Sequence, residues 1–137
     1  MVTQLNVFME NKRGRLYEIA STLGKAGINI KGFSVADMAD FGIFRLIVAD
    51  PERAREVLKS AGFAVSESRV VVVAVPDEPG GLARVLEVVN EGNVAIEYLY
   101  IIAQTKLAFA FEDNERGAAL LKAAGIPVLD QEDIARL

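Results

Sequence analysis

Two short segments of the 137-residue chain carry residue types suited to gripping a small charged molecule. They are Glu10-Asn11-Lys12-Arg13-Gly14-Arg15-Leu16 and Pro76-Asp77-Glu78-Pro79-Gly80-Gly81-Leu82. Each places an Asn or Asp three residues before a glycine, and the glycine directly before a helical pattern. Glycine allows close approach of the backbone. The first turn of a helix leaves N–H groups without partners, and these favour a carboxylate or phosphate. Asn11 or Asp77 is then available to an ammonium or hydroxyl group. A free amino acid carries both kinds of group, so the constellation suits one. The same residues suit a plainer role, in which Asn11 and Asp77 cap their own helices and the glycines only turn the chain. The charges of the two loops differ. Lys12, Arg13 and Arg15 crowd a helix start, where each cation is unfavourable by a few tenths to about 1 kcal/mol. A bound anion would offset that, so a carboxylate-bearing ligand is expected to sit more tightly at the first loop. The alternative is an ordinary solvated basic patch. The second loop has Asp77 and Glu78, which match the helix dipole.

Few other chemistries are open. The chain has no cysteine and no histidine, which excludes disulfides, thiolate or imidazole metal sites, cysteine nucleophiles and serine–histidine triads. Carboxylate, lysine, tyrosine and backbone groups remain. Asp37 and Asp40 are three apart and Glu10 has lysine nearby, but catalysis needs such a group in a cleft with a shifted pKa. The two aspartates read as turn residues, and the chain reads as a non-enzyme. The 15 Lys and Arg against 19 Asp and Glu give a net charge of −4, the wrong balance for a duplex-binding surface. The strands Phe44-Arg45-Leu46 and Leu107-Ala108-Phe109 lack the exposed aromatic and basic pattern that stacks RNA bases. Val70 to Pro76, the longest nearly apolar run, is too short to span a bilayer. Met1 to Met9 carries no targeting pattern, and the expected location is the cytoplasm.

The elements that must position the loops come in two copies. Asp50 to Gly62 aligns with Asp113 to Gly125, 63 residues further on, and seven of the 13 pairs are identical. Gly14-Arg15-Leu16 aligns with Gly80-Gly81-Leu82 at a displacement of 66. Three residues are therefore missing from the second copy, at the turn that matches Met38 to Gly42. Leu16, Ile19, Ala20 and Leu23 form a helical stripe, as do Ala54/Val57/Leu58/Ala61, Leu82/Val85/Leu86/Val89 and Gly117/Leu120/Leu121/Ala124. Asp50 and Asp113 are N-cap candidates. Gly27, Gly62 and Gly125 are helix stops. Alternation at Leu5/Val7/Met9, Phe44/Leu46/Val48 and Leu107/Phe109/Phe111 marks strands, and the run Val70 to Val75 marks one buried on both faces. Ser66 to Arg69 is the only hinge-like stretch, and Asp130 to Leu137 suits one last helical turn. The expected fold class is α+β: two ferredoxin-like β-α-β-β-α-β modules, residues 1–68 and 69–137. Each has an antiparallel sheet with helices on one face. Side-by-side pairing would cover the open sheet edges.

These loops, set within a doubled β-α-β-β-α-β chain, resemble the ACT domain family of small-molecule regulatory modules. Asn11 to Leu16, Gly27-Ile28-Asn29-Ile30 and Asp77 to Leu82 carry the resemblance. Ala39-Asp40-Phe41-Gly42-Ile43 and Glu97-Tyr98-Leu99-Tyr100 look like the free-standing tandem subgroup. The family's usual Pro before the glycine is kept at Pro79 but is Arg13 in the first copy. Asn93-Val94-Ala95-Ile96 replaces the pattern of Gly27 to Ile30. The resemblance implies an amino acid bound between paired modules and no cofactor. Asn11, Lys12, Arg13, Gly14, Arg15 and Leu16 would face Val94 to Tyr98 of a partner module, with Ala95, Ile96 and Tyr98 as the contacts. Asp77, Pro79, Gly80, Gly81 and Leu82 would face Ile28 to Gly32, with Asn29 and Ile30 as the contacts. Tyr98, Tyr100 and Phe41 would shape the side-chain pocket or belong to the core. The implied partners are a free amino acid, a second copy in a homodimer and a regulated metabolic enzyme, with no nucleic acid and no membrane. The rival reading is a ligand-free assembly module for a metabolic enzyme.

Overall fold

The computed structural model describes all 137 residues. The chain runs β1 (Val2–Glu10), α1 (Arg15–Lys25), β2 (Ile30–Asp37), β3 (Phe41–Val48), α2 (Pro51–Ser60), β4 (Ala64–Ala74), α3 (Gly81–Glu91), β5 (Ile96–Ile102), β6 (Lys106–Phe111), α4 (Asn114–Ala123), β7 (Val128–Leu129) and α5 (Gln131–Ala135). It divides into two compact units. Thr3–Ser68 with Arg136 make the first, and Met1–Val2, Arg69–Ala135 and Leu137 the second. Both have the β-α-β-β-α-β order that the repeat implies. In the first unit β3 pairs antiparallel with β1 and β2, and β4 lies beside β1. In the second the order is β5-β6-β4-β7, again antiparallel.

One sheet face in each unit meets the helices. Leu5, Val7, Phe44 and Leu46 pack against Ile19 and Leu23 of α1 and Ala54 and Leu58 of α2. Val71, Val73, Leu107 and Phe109 pack against Val85 and Val89 of α3 and Leu121 of α4. The alternation of the strands and the helical stripes therefore interlock as the periodicities require. Val70 to Val73 are all fully buried. Asp50 and Asp113 each accept the backbone N–H three residues on, from Arg53 and Arg116, at 3.1 Å. A further bond recurs that spacing did not suggest. The Arg53 guanidinium donates to the Ala26 carbonyl, and Arg116 donates to the matching Gly92 carbonyl, so each second helix clamps the end of the first. At the chain end Asp130 and Asp133 cap each other reciprocally at 2.9 Å, and Ile134 is fully buried.

The packing differs where volumes trade. The first unit has Val48 and Ala54 in its core. The second has Phe111 and Gly117 at those places, and a Cβ on Gly117 would run into the Phe111 ring. A glycine in a helix interior, which weakens the fourth stripe, is thus the space the larger ring occupies.

The hinge reading of Ser66 to Arg69 is corrected. These residues lie within β4, of which Ala64–Ser68 belong to the first unit and Arg69–Ala74 to the second. Their polar side chains are used in the sheet. Ser68 Oγ accepts from Gln4 and Asn6, and Ser66 Oγ accepts from Asn6. Glu67 pairs with Arg55 at 2.9 Å. A polar stretch bonded in this way runs as strand and not as linker.

Candidate functional site

Both loops before the first helices fold with one backbone pattern. In the first, Lys12 N–H donates to Glu10 C=O, Arg15 N–H to Lys12 C=O and Glu18 N–H to Gly14 C=O. In the second, Glu78, Gly81 and Arg84 make the same bonds to Pro76, Glu78 and Gly80. Gly14 and Gly80 precede the helices in the left-handed region, with φ of 90° and 84°. That conformation costs a non-glycine residue about 1–2 kcal/mol. No side chain caps either helix. The capping role suggested for Asn11 and Asp77 is therefore corrected: the glycine takes the cap position and, beyond the bonded Arg15 and Gly81 N–H groups, the first-turn amides have no side-chain cap.

Asn11 instead ties its loop to the neighbouring hairpin. Its Nδ2 donates to the Met38 carbonyl at 3.1 Å. Asp77 makes no equivalent bond, because the second hairpin is three residues shorter. That shorter turn passes through Gln104 and Thr105, both left-handed, with φ of 56° and 55°. For a β-branched residue such as Thr105 this is a strained conformation.

Two of the three cations of the first loop, Lys12 and Arg15, have partners in the loop or the helix it leads into. Lys12 Nζ lies 2.8 Å from Glu10, and Arg15 lies 2.8 Å from Glu18 and 3.9 Å from Glu10. The hydrogen bond and charge of Lys12, aided by Arg15, hold the Glu10 carboxyl below its ordinary range. The hydrogen bond and charge of Glu18 raise Arg15. Two glutamates thus relieve the crowding of Lys12 and Arg15, and Arg13 is left without an ion pair. A cavity of about 300 Å³ lies behind this loop, against Phe8, Met9, Glu10, Arg15, Glu18 and Ala61 to Ala64.

The second loop borders a larger cavity of about 460 Å³. Val75, Pro76, Pro79, Leu82, Ile101 and Leu107 form its apolar walls, with Thr105, Asp77 and Glu78 as the polar ones. Val75, Ile101, Thr105 and Leu107 were not among the site residues read from the sequence. The β5–β6 hairpin brings the last three to the loop, and only strand register could have shown it. Glu78 is joined to Arg84 at 3.5 Å. Gly81 is required by close packing, because a Cβ there would strike the Pro76 carbonyl.

The remaining site residues lie elsewhere within their units. Ile30 pairs with Val48, at the opposite end of the sheet from the Glu10↔Phe41 pair beside the first loop. Asn29, just before it, is exposed. In the second unit Ile96 pairs with Phe111 and Tyr98 with Ala110, away from the Leu107 end that meets the second loop. Ala95 falls instead in a cavity of about 690 Å³ with Arg69, Asn93, Glu112, Asp113 and Arg116 among its walls. Tyr98 and Tyr100 stack on each other with centroids 6.4 Å apart and do not line the 460 Å³ cavity. Phe41 packs on Phe8 at 6.2 Å. No group of three or more acidic side chains is placed to hold a metal ion. No helix is long and apolar enough to cross a membrane.

Comparison with known proteins agrees with this architecture. The profile of the family described as ACT domain pair matches residues 1–137. The crystal structure of protein BT0572 from Bacteroides thetaiotaomicron superposes with a TM-score of 0.91 at 37% identity, covering 99% of this chain and 96% of that one. The ligand-free regulatory subunit of aspartate kinase from Thermus thermophilus gives 0.64 at 14% identity, covering 90% and 89%. A structure of aspartokinase alpha and beta subunits gives 0.59 at 15%, covering 90% and 91%. These last two share the fold. No curated protein matches the sequence. With a whole-length profile match and a solved relative above one-third identity, this chain belongs to the ACT domain pair family.

Proposed function

We propose that this protein is a non-catalytic regulatory module that binds a free amino acid at its helix-leading loops. The modules divide between Ser68 and Arg69. The observation that carries the reading is the pair of uncapped helix starts behind left-handed Gly14 and Gly80. The uncapped first-turn amides suit an α-carboxylate, and Asp77 or the Asn11 side-chain oxygen suits an α-ammonium. The residues assigned to ligand are Asn11 to Leu16 and Asp77 to Leu82, with Asn29, Ile30, Ala95, Ile96 and Tyr98 as contacts from a paired module. Bound ligand stabilises one arrangement of paired modules, in a homodimer, and a partner metabolic enzyme reads that arrangement. That the Thermus thermophilus neighbour is the regulatory subunit of aspartate kinase supports the same role.

Thermal unfolding in the presence of each of the twenty amino acids tests this. A ligand at 100 times its Kd adds about 2.7 kcal/mol of stability, which raises the Tm by several degrees. The assembly reading has its own support. Phe33 and Val35 on β2, and Leu99 and Ile101 on β5, are large apolar side chains left 38% to 64% exposed. If no amino acid raises the Tm of well-folded protein while sedimentation shows a stable oligomer, assembly alone is the function.

A further inference from the structure

We propose that the second loop is the principal ligand site and that it selects an amino acid with an apolar side chain, branched aliphatic or aromatic. This rests on the amino-acid reading above and adds the ligand class. The cavity of about 460 Å³ beside Asp77 to Leu82 is large enough for one such molecule. Its three kinds of surface match the three parts of that molecule. The uncapped α3 start, with no acidic side chain in its first turn, suits the carboxylate. Asp77, which makes no ion pair or side-chain hydrogen bond, suits the ammonium. Val75, Leu82, Ile101 and Leu107 remain for the side chain.

Leu82 is 46% and Ile101 64% exposed, so an apolar occupant removes from water surface that the protein leaves open. No cation lines the cavity and Arg84 is engaged by Glu78, so an acidic side chain would meet the unpaired carboxylate of Asp77. The first loop differs at the decisive positions. Glu10 and Arg13 stand where the second loop has Pro76 and Pro79. A charged wall with its own ion pairs replaces an apolar one.

Calorimetric titration of the full-length chain with leucine, isoleucine, phenylalanine, aspartate, lysine and serine tests the proposal. An apolar amino acid is expected to bind at least tenfold more tightly than the polar ones. Ile101→Glu, at an exposed position that folding tolerates, is expected to weaken that binding at least tenfold. Val35→Glu, its counterpart in the first unit, should leave it unchanged. Preferred binding of a polar amino acid, or undiminished affinity in Ile101→Glu, overturns the inference and leaves the amino-acid reading standing. An absence of binding by all six, with no Tm rise for any of the twenty, overturns both.

Discussion

Arg15 and Gly81 hold the same place in the repeat and show how the two loops parted. The backbone turns around them are bonded identically, down to the left-handed glycine before each helix. Arg15 has room for a side chain and uses it on Glu18 and Glu10. At Gly81 a single Cβ would meet the Pro76 carbonyl. Duplication preserved the hydrogen bonds, which are local and leave little choice. It released the surface, where the first loop paired Lys12 and Arg15 with glutamates and the second built an apolar wall. A repeat in sequence is thus evidence for a repeated turn, but not for a repeated binding site.

The largest test of that contrast is a pair of substitutions at this position. Gly81→Ala is expected to cost about 3 kcal/mol, since the clash is with backbone, which cannot swing aside. Arg15→Ala removes only partly exposed ion pairs and should cost under about 1 kcal/mol. Urea unfolding of the two variants measures both. Equal costs would mean that the loops are interchangeable and that the tight approach at Gly81 is not real.

A second contrast lies in the cores. Gly117→Ala should destabilise by about 2 kcal/mol by forcing a methyl against the Phe111 ring. Restoring the first unit's combination, Phe111→Val with Gly117→Ala, should recover a good part of the loss expected from adding the single changes. A double-mutant cycle would show this as a coupling of about 1 kcal/mol or more. Additive costs would show that the volumes in the two units are not exchanged between these positions.

The cores and caps were legible because each depends on residues close in sequence. Asp50 and Asp113 reach an amide three residues away, and the stripes of α1 and α3 need only a period of 3.6. The glycine turns were legible for the same reason. What the sequence hid depends on partners from other elements. Ser66 and Ser68 look like a hinge until Asn6 and Gln4 are set beside them. The wall of the second cavity needs the β5–β6 register to bring Ile101 and Leu107 to Pro76. Thr105 runs against its own propensity, so no pattern would have placed it in a left-handed turn. Basic residues at a helix start pointed toward an anion, and Glu10 and Glu18 supply the charges that pair with Lys12 and Arg15.

Asn11 and Asp77 give a smaller difference. Asn11→Ala removes the bond to the Met38 carbonyl and should cost about 1 kcal/mol, with faster amide exchange at the β2–β3 turn. Asp77→Ala has no such bond to lose and should stay within about 0.5 kcal/mol. In the proposed site it weakens amino-acid binding instead. Were the stability costs reversed, the link between the longer first hairpin and its loop would be wrong.

The smallest effect is electrostatic and belongs to the first loop alone, since Pro76 stands where Glu10 would be. Lys12 and Arg15 lower the Glu10 pKa in the folded protein, whereas in the unfolded chain it returns to the ordinary glutamate range. The folded state therefore binds this proton less readily. Its stabilising contribution is present above the unfolded value and is lost as pH falls through the lower folded one. Because the group is exposed, the change in overall stability is small and the carboxyl itself is the better observable. Titration of the Glu10 side-chain carbon by NMR should give a midpoint below the ordinary glutamate value. Lys12→Ala should raise it, and 1 M salt should move it the same way. A midpoint that stays low in Lys12→Ala would mean that something other than the neighbouring ammonium holds the charge, and that the first loop is not neutralised from within.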